Sequence, residues 1–303
     1  MGIGVRTCST LADKQRSLEI YNEVWPGRAV TAEDVQAWER MAVATTEFIA
    51  NVDGVEAGSA AAAVQTSRSH VGIVLVTVWP KMRRRGAGRA LFDASASWAR
   101  GYDVDELESH VELGDDESLS FATRRGFDEV SRDVDVELVL ADVEAPRVDA
   151  PDGVDIVLLA DRPELALGAY DVGLEALPDV PGSDGWTPLP YEDFVEAHLR
   201  GPAIFVAVAG DEVVAYAKLH DGADGTSAEH GMTAVKRPWR GKGIAQSLKR
   251  AQIVWAKENG LERLTAENDE RNVPMRRIND ALGYRKTAGW ITLRARVADL
   301  RLR

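Results

Sequence analysis

Two short stretches of the sequence decide how the rest of it is interpreted: residues 78–91, VWPKMRRRGAGRAL, and residues 235–245, VKRPWRGKGIA. Each begins where a hydrophobic run ends, passes through arginines and glycines, and leads into a segment of helix-forming residues. Glycines let the backbone bend tightly and bring its N–H groups close to a ligand. The N-terminus of the following helix directs free amides and a partial positive charge at the same point. The two stretches therefore predict two binding sites for a pyrophosphate group.

The two stretches belong to an internal repeat with a spacing of 157 residues, which also relates Phe48–Val55 to Phe205–Glu212 and Gly126-Phe127 to Gly283-Tyr284. Further upstream the spacing shortens to 148 residues, and we place the resulting insertion of the second copy in the Pro/Gly-rich stretch 178–190. The chain is therefore interpreted as a tandem duplication. The predicted organisation is an N-terminal domain at 1–143, a proline-rich and acidic linker at 144–153, and a C-terminal domain at 154–303.

Each copy is predicted to fold as α/β structure, with an early helix, a hairpin, a strand, a helix, a strand, a second helix and a final alternating strand. The hairpin turns lie at Asp53-Gly54 and Gly210-Asp211. The strands that lead into the glycine turns are predicted at Val71–Val78 and Gly231–Val235, and the helices that follow them at Gly88–Arg100 and Ala245–Asn259.

The composition limits the class of protein. The chain has 303 residues, 45% of them hydrophobic and 28% charged, which is typical of globular domains and excludes disorder as the main architecture. Its 36 Lys+Arg against 49 Asp+Glu give a net charge of −13, which argues against nucleic acid or an anionic membrane as partner. A single cysteine, Cys8, cannot form an internal disulfide, so we expect a cytoplasmic protein. The histidine spacing predicts no metal site.

Other phosphate-binding loops fit the two turns less well. A Walker loop requires Ser or Thr after Gly-Lys, whereas Gly241-Lys242 is followed by Gly243. The dinucleotide fingerprint requires a third glycine at the positions held by Leu91 and Gln246. The turns instead resemble Arg-x-x-Gly-x-Gly/Ala, the acetyl-CoA-binding motif of the GNAT acyltransferases (GCN5-related N-acetyltransferases).

Both copies carry this motif, which is filled by Arg83, Gly86 and Gly88 and again by Arg240, Gly243 and Ala245. The stretch Asn272–Tyr284, NVPMRRINDALGY, resembles the family's asparagine-containing helix that ends in Leu-Gly-Phe/Tyr. The resemblance covers nearly the whole chain and is similar to the arrangement of the tandem GNATs that include mycothiol synthase. It implies an α/β fold class with a mixed sheet, built as two tandem GNAT acyl-CoA N-acyltransferase folds.

The resemblance implies that acetyl-CoA is the acyl donor and that no metal takes part. Two neighbouring strands would part, and a backbone N–H of the strand that ends at Val78 or Val235 would stabilise the oxyanion of a tetrahedral intermediate. The implied cofactor-binding residues of the C-terminal copy are Val235, Arg240, Gly241, Lys242, Gly243, Ile244, Ala245 and Asn272. Those of the N-terminal copy are Val78, Arg83, Arg84, Arg85, Gly86, Ala87 and Gly88.

The copies differ in the groups that could act as a base. Glu229-His230 precede the cofactor strand of the second copy, where many GNATs place a base, and the first copy has Gly72 and Ile73 there. We therefore predict that the C-terminal copy is the catalyst and that Glu229 accepts the proton of the acceptor amine. The alternative reading of Glu229-His230 is a solvated loop acid beside a loop histidine.

The sequence leaves the identity of the general acid open. A tyrosine that commonly protonates the thiolate in this family is replaced by Asn279 in the second copy and by Ala122 in the first. Tyr216, which we predict as the catalytic candidate, and Tyr191 are the two substitutes, although an aromatic on a strand or loop is more often packing. The thiolate of CoA can also leave unprotonated.

The function implied is transfer of an acetyl group from acetyl-CoA to the amine of a small molecule, by a monomer or homodimer with no nucleic acid or membrane partner. A mycothiol-synthase-like transferase and a non-catalytic acyl-CoA sensor are the alternatives. A sensor would bind acetyl-CoA yet release no free CoA with any acceptor.

Overall fold

The computed structural model describes residues 2–26, 29–180, 183, 186–201, 203–222 and 224–301. The chain forms two compact units. Unit 1 consists of Met1–Arg132 together with Trp290–Arg303, and unit 2 consists of Asp133–Gly289.

Unit 1 contains a mixed β-sheet flanked by helices. Its N-terminal strands are β1 (Ile3–Thr7), β2 (Ala42–Val52), β3 (Val55–Gln65), β4 (Val71–Val78) and β5 (Glu106–Glu112). Its helices are α1 (Leu11–Val24), α2 (Ala32–Arg40), α3 (Ala87–Ala99) and α4 (Asp116–Thr123). Strands β1 to β4 pair antiparallel in chain order, whereas β4 and β5 pair parallel. The parallel pair is possible because α3 forms the crossover between the two strands.

Unit 2 repeats this arrangement. Its strands are β6 (Asp128–Val139), β7 (Val154–Leu158), β8 (Ala203–Ala209), β9 (Glu212–Asp221), β10 (Ser227–Val235) and β11 (Arg263–Asp269). Its helices are α5 (Ala166–Ala176), α6 (Tyr191–His198), α7 (Ile244–Glu258) and α8 (Val273–Leu282). Strands β7 to β10 pair antiparallel and β10 pairs parallel with β11. The final strand of the chain is β12 (Arg285–Arg296).

The last strand of each sheet comes from the other sequence repeat. In unit 1, Trp290–Arg296 of β12 pairs antiparallel with Glu106–Glu112 of β5. In unit 2, Asp133–Val139 of β6 pairs antiparallel with Arg263–Asp269 of β11. Because β6 and β12 hold equivalent places in the repeat, each copy has given its last strand to the other unit. The compact units therefore group the chain differently from the predicted domains 1–143 and 154–303 and their linker at 144–153.

The helix starts and the cores follow from the sequence. Thr10 opens α1 with a reciprocal capping box to Asp13, which satisfies amides that the helix leaves free. In unit 1, Leu91 and Phe92 of α3 are buried against the sheet, and in unit 2, Leu248 of α7 is buried in the same way. Full burial of such a side chain contributes about 1.5–3 kcal/mol.

The predicted order of helices and strands is confirmed in both copies. Strand β10 begins at Ser227, four residues before the predicted start. The sequence analysis missed α2, α6 and the edge strands β1 and β7. Strand β1 is largely exposed, so it lacks the alternation of apolar residues that marks a half-buried strand. The predicted insertion at 178–190 lies partly outside the described residues.

Within the described ranges, no helix combines the length and the apolar character that a membrane crossing would require.

Candidate functional site

A V-shaped opening in unit 1 begins where two parallel strands part. Strands β4 and β5 pair only over Val71–Ile73 and Glu106–Glu108. Beyond these residues β4 continues along β3 as far as Val78, and β5 continues along β12 as far as Glu112. The facing edges of the two strands are therefore not bonded to each other there, and their backbone groups are available to an extended ligand.

Unit 2 has the same opening between β10 and β11. These strands pair parallel over Ser227–His230 and Arg263–Ala266. Strand β10 then continues along β9 to Val235, with an irregularity between His230 and Thr233, and β11 continues along β6 to Asp269. Both units thus place an opening of the same kind directly before the glycine turn.

The glycine turn at the wide end of each opening leads into a helix without a side-chain cap. Gly86 precedes α3 with a φ of 86°, and Gly243 precedes α7 with a φ of 88°. Such positive φ values suit glycine, because a Cβ is strained there. As glycines, Gly86 and Gly243 supply no side-chain hydrogen bond to the first turn of their helix. The first amides of α3 and α7 are therefore placed to bind an anion.

The opening of unit 1 is a cleft of about 570 Å³. Its walls are formed by the ends of β4 and β5, the glycine turn, the first turns of α3, and α4. Of the residues that the sequence singled out in this copy, six line the cleft: Val78, Arg83, Arg84, Arg85, Gly86 and Gly88. Ala87, the first residue of α3, is buried beneath them. The cleft thus combines an apolar interior with a cationic rim.

The arginines at this rim have different partners. The side chain of Arg83 turns towards α4, with its guanidinium 3.3 Å from Asp115 and 3.6 Å from Glu117. Asp115 also caps α4 by accepting from the backbone N–H of Ser118. Burial raises the pKa of Asp115, but the bonds from Ser118 and Arg83 outweigh it and leave the pKa lowered. Arg85 is exposed on the same rim and adds positive charge where the free amides of α3 begin.

A second set of polar groups lies on the neighbouring strand β5. His110 and Glu112 line the cleft, and the ring of His110 lies 3.8 Å from the carboxylate of Glu108. Glu108 is buried and accepts hydrogen bonds from Arg68, at 2.8 and 3.1 Å, and from Arg294 of β12, at 2.9 Å. Burial raises the pKa of Glu108, but the bonds from the two arginines outweigh it and leave the pKa lowered. The charged form of Glu108 therefore stands behind His110.

The turn of unit 2 is held differently. Arg240 donates to the backbone carbonyl of Val235 at 2.9 Å and lies 2.8 Å from the carboxylate of Asp179, which also binds Arg237. Hydrogen bonds from these two arginines lower the pKa of Asp179. The ammonium of Lys242 lies 4.5 Å from the centre of the Trp239 ring. The side chain of Arg240, the arginine of the second motif, is therefore already bonded to neighbouring groups.

The sequence profile of the GNAT acetyltransferase family matches the chain twice, over residues 14–127 and 172–284. The chain belongs to the GNAT family. Comparison with curated protein sequences gives no significant match.

Several solved structures share the fold of this GNAT protein over nearly its whole length. A GCN5-related N-acetyltransferase from Sphaerobacter thermophilus has a TM-score of 0.79 at 19% identity and covers 97% of this chain and 96% of its own. A tandem GNAT protein from the clavulanic acid biosynthesis pathway has a TM-score of 0.72 at 21% identity, with 97% and 99% coverage. The expected tandem GNAT arrangement is thereby confirmed.

The remaining predicted site residues of this GNAT protein lie in unit 2. Gly241, Lys242 and Gly243 form the turn, and Ile244 and Ala245 begin α7. Asn272 caps α8 by accepting from the backbone N–H of Met275 at 3.3 Å, as Asp115 does in α4. Its side-chain oxygen therefore has a structural partner already.

The two predicted catalytic residues are not brought together. Glu229 is exposed on β10, where it faces His220 of β9. Tyr216 is fully buried on β9 against Phe194 of α6, and its hydroxyl has no hydrogen-bond partner among the described residues. Burial raises the pKa of Tyr216. Both roles stay predictions, and a proton donor at Tyr216 would need an access route into this core.

The sequence analysis missed His110, Glu112 and Trp25 of the unit 1 cleft. The spacing of His110 to the other histidines excludes a metal site and indicates no other role. The available signal was the alternation Glu108, His110, Glu112 in a predicted strand, which places three titratable groups on one face. Trp25 follows α1 and contacts Trp290 of β12 at 5.5 Å between ring centres. No group of three or more metal-ligating side chains occurs among the residues that the structure describes.

Proposed function

We propose that the protein transfers an acetyl group from acetyl-CoA to the amine of a small molecule, by direct attack through a tetrahedral intermediate. The observation that carries this proposal is the cleft of unit 1, which opens between parted strands and ends at the uncapped start of α3. An extended thioester in this cleft would bring its diphosphate to the amides of α3. The free edge of β4 would supply a backbone N–H for the oxyanion.

In unit 1, His110 is the residue best placed to accept the proton of the amine. It lines the cleft on the strand next to β4, and its ring stands in front of the anionic Glu108. A carboxylate behind an imidazole favours the protonated ring that forms when the amine loses its proton. Glu112, on the same face, adds a negative charge that suits a cationic acceptor.

Glu229 remains the proposed base of unit 2. It precedes the point where β10 and β11 part, and it lies on the exposed side of β10. An acceptor approaching that opening from solvent would reach its carboxylate. The two units therefore offer separate bases, which can be tested separately.

Equivalent substitutions in the two turns test the donor site. Gly88→Asp and Ala245→Asp each place a carboxylate at the second residue of the helix that follows the turn, at α3 and α7 respectively. A Cβ at Gly88 lies 3.5 Å from Val78, an ordinary contact. We expect Gly88→Asp to remove one acetyl-CoA site in calorimetric titration, and Ala245→Asp to remove a second site if unit 2 also binds. Unchanged binding in both variants would refute the proposed donor seats.

Release of free CoA with a panel of amines, including glucosamine, tests the reaction. We expect His110→Gln to slow release about 10²-fold or more at neutral pH, and much less at high pH where the amine is already neutral. Glu229→Gln, assayed in parallel, is expected to show the same pattern for transfer in unit 2. Binding of acetyl-CoA without release of CoA for any acceptor would favour the sensor over the enzyme.

A further inference from the structure

A set of buried positions differs in character between the two units. In unit 1 four of these positions hold apolar side chains that line the cleft: Phe92, Val111, Ala122 and Phe127. The repeat spacing makes Lys249, Asn268, Asn279 and Tyr284 their equivalents in unit 2. With Gln252 and His230, these four residues are called the polar chamber here. The four apolar side chains of unit 1 are thus replaced in unit 2 by a lysine, two asparagines and a tyrosine.

The polar chamber is buried and incompletely bonded. Lys249, Gln252 and Asn279 are each no more than 1% exposed. Gln252 Nε2, Asn268 Nδ2 and both side-chain atoms of Asn279 have no hydrogen-bond partner among the described residues. Buried polar atoms are nearly always bonded in folded proteins, and leaving them unbonded is unfavourable. A ligand group that reached these atoms could form hydrogen bonds that the chamber itself leaves unmade.

Most of the unbonded groups in the polar chamber are hydrogen-bond donors. The Lys249 ammonium lies 5.5 Å from the centre of the Tyr284 ring, and no carboxylate in the described part of the chain forms an ion pair with it. Burial lowers the pKa of Lys249 to about 7. Three amide N–H₂ groups add further donors, whereas Asn279 Oδ1 is the one acceptor among the fully buried, unbonded chamber atoms in the described part of the chain. An excess of donors around a buried amine suits a carboxylate.

The polar chamber lies at the closed end of the V in unit 2. His230 is the last residue of β10 that pairs with β11, and its ring bonds to Gln252 of α7 and to the hydroxyl of Tyr284. The glycine turn lies at the other end, beyond Val235, five strand residues or about 16 Å away. A ligand with its diphosphate at the turn and its arm along β10 would direct its far end towards the chamber.

We propose that unit 2 takes an acyl-CoA whose acyl group ends in a carboxylate, as in succinyl-CoA, and that Lys249 and the amides of the polar chamber bind this carboxylate. Unit 1, with Phe92 at the equivalent position, takes the acetyl group. This inference rests on the proposed function, because it assigns the acyl group for a GNAT thioester site. A bound carboxylate would satisfy the unbonded donors and favour the charged form of Lys249.

Calorimetric titration of the full chain carrying Gly88→Asp, which blocks the seat in unit 1, tests the inference. We expect succinyl-CoA to bind about 10- to 100-fold more tightly than acetyl-CoA, the range that hydrogen bonds to a charged group provide. Lys249→Met in this background is expected to abolish the preference while affinity for acetyl-CoA remains. Lys286→Met, which removes an exposed lysine from unit 2, serves as the control and is expected to preserve it.

The outcomes separate this inference from the function on which it rests. Equal affinity for succinyl-CoA and acetyl-CoA would overturn the inference and leave the acyltransferase proposal standing. A preference for succinyl-CoA that persists in Lys249→Met would also overturn it. Lack of binding of any acyl-CoA by the unsubstituted chain would refute the proposed function itself. Should Lys249→Met fail to fold by circular dichroism, Lys249→Gln, which keeps a polar group in the chamber, gives the same comparison.

Discussion

The Nε of Arg294 lies 2.9 Å from the Oε2 of Glu108, so the last strand of one sequence repeat forms an ion pair with the fifth strand of the other. The equivalent pair in unit 2 is Glu137 of β6 opposite Thr265 of β11. If each repeat kept its own last strand, Glu137 would face the buried Glu108, and Arg294 would lie near Arg263. Like charges on facing strands are destabilising, most strongly when buried. The charge pattern therefore favours the exchange of strands.

A fragment of residues 1–143 tests this explanation, because it contains β6 and lacks β12. We expect the fragment to be unstable, since Glu137 would oppose Glu108. Glu137→Arg is expected to raise its melting temperature by restoring a guanidinium at that place, measured by circular dichroism. Asp142→Arg, an equal change of charge at an exposed residue near the end of the fragment, serves as the control. A wild-type fragment as stable as the Glu137→Arg fragment would contradict the explanation.

The buried carboxylate of Glu108 is expected to make unit 1 sensitive to acid. Its pKa is lowered from an ordinary 4.5, so its contribution to the free energy of unfolding is complete above that pH and is lost as pH falls through the lowered pKa. Glu108→Gln leaves Arg68 buried without its anion and is expected to cost about 3–5 kcal/mol at pH 7. Urea unfolding between pH 3 and pH 7 measures both effects. The variant should approach the wild type in stability at the acid end; a constant difference across this range would count against the ion pair.

The two turn glycines are expected to respond differently to alanine. Both have a positive φ, so Gly86→Ala and Gly243→Ala each carry a backbone strain of about 1–2 kcal/mol. A Cβ at Gly86 would also lie 2.6 Å from the Cδ1 of Ile3, whereas a Cβ at Gly243 meets no atom within 4 Å. Gly86→Ala should therefore lower the melting temperature more. Combining Gly86→Ala with Ile3→Ala should reduce this difference in melting temperature. Equal decreases in melting temperature for the two single variants would disprove this account.

Lys249→Met is expected to stabilise the unliganded protein, because a buried amine without an anion is unfavourable. Burial lowers the pKa of Lys249 from 10.5 to about 7, so folding opposes protonation. The stability cost of Lys249 should thus be absent above pH 10.5, grow as pH falls towards 7, and stay constant below that value. Thermal unfolding of both proteins from pH 6 to pH 10 gives this difference. A difference in thermal stability between the two proteins that does not change with pH would show that Lys249 keeps its ordinary pKa in the folded state.

Much of the fold could be predicted because the repeat supplied each signal twice. The turns at 78–91 and 235–245 fixed the order of strand, turn and helix, and the hairpins at Asp53-Gly54 and Gly210-Asp211 fixed the pairing before it. The strand exchange could not be read from local patterns. β6 and β12 have the same length and alternation, and the charges that distinguish their partners act between residues about 130 to 190 positions apart in sequence.

The residues of the proposed donor site could be predicted in the same way, whereas the polar groups of the neighbouring strand could not. Motif residues follow one another along the chain, so Val78 and Arg83–Gly86 reach the cleft together. His110 becomes a candidate only when β5 lies beside β4 and when Arg68 and Arg294 hold Glu108 behind it. Lys249 resembled any helix lysine in sequence, and its burial under Tyr284 depends on packing that the pattern does not specify.

The place of β12 also sets an order of events at the ribosome. Unit 2 is contiguous over Asp133–Gly289, so all of its strands have been synthesised while β5 still has a bare edge. Only when Trp290–Arg296 leaves the exit tunnel can that edge be covered, although most of unit 1 was translated first. A nascent chain therefore exposes an open strand for most of its synthesis, the kind of edge at which neighbouring polypeptides aggregate.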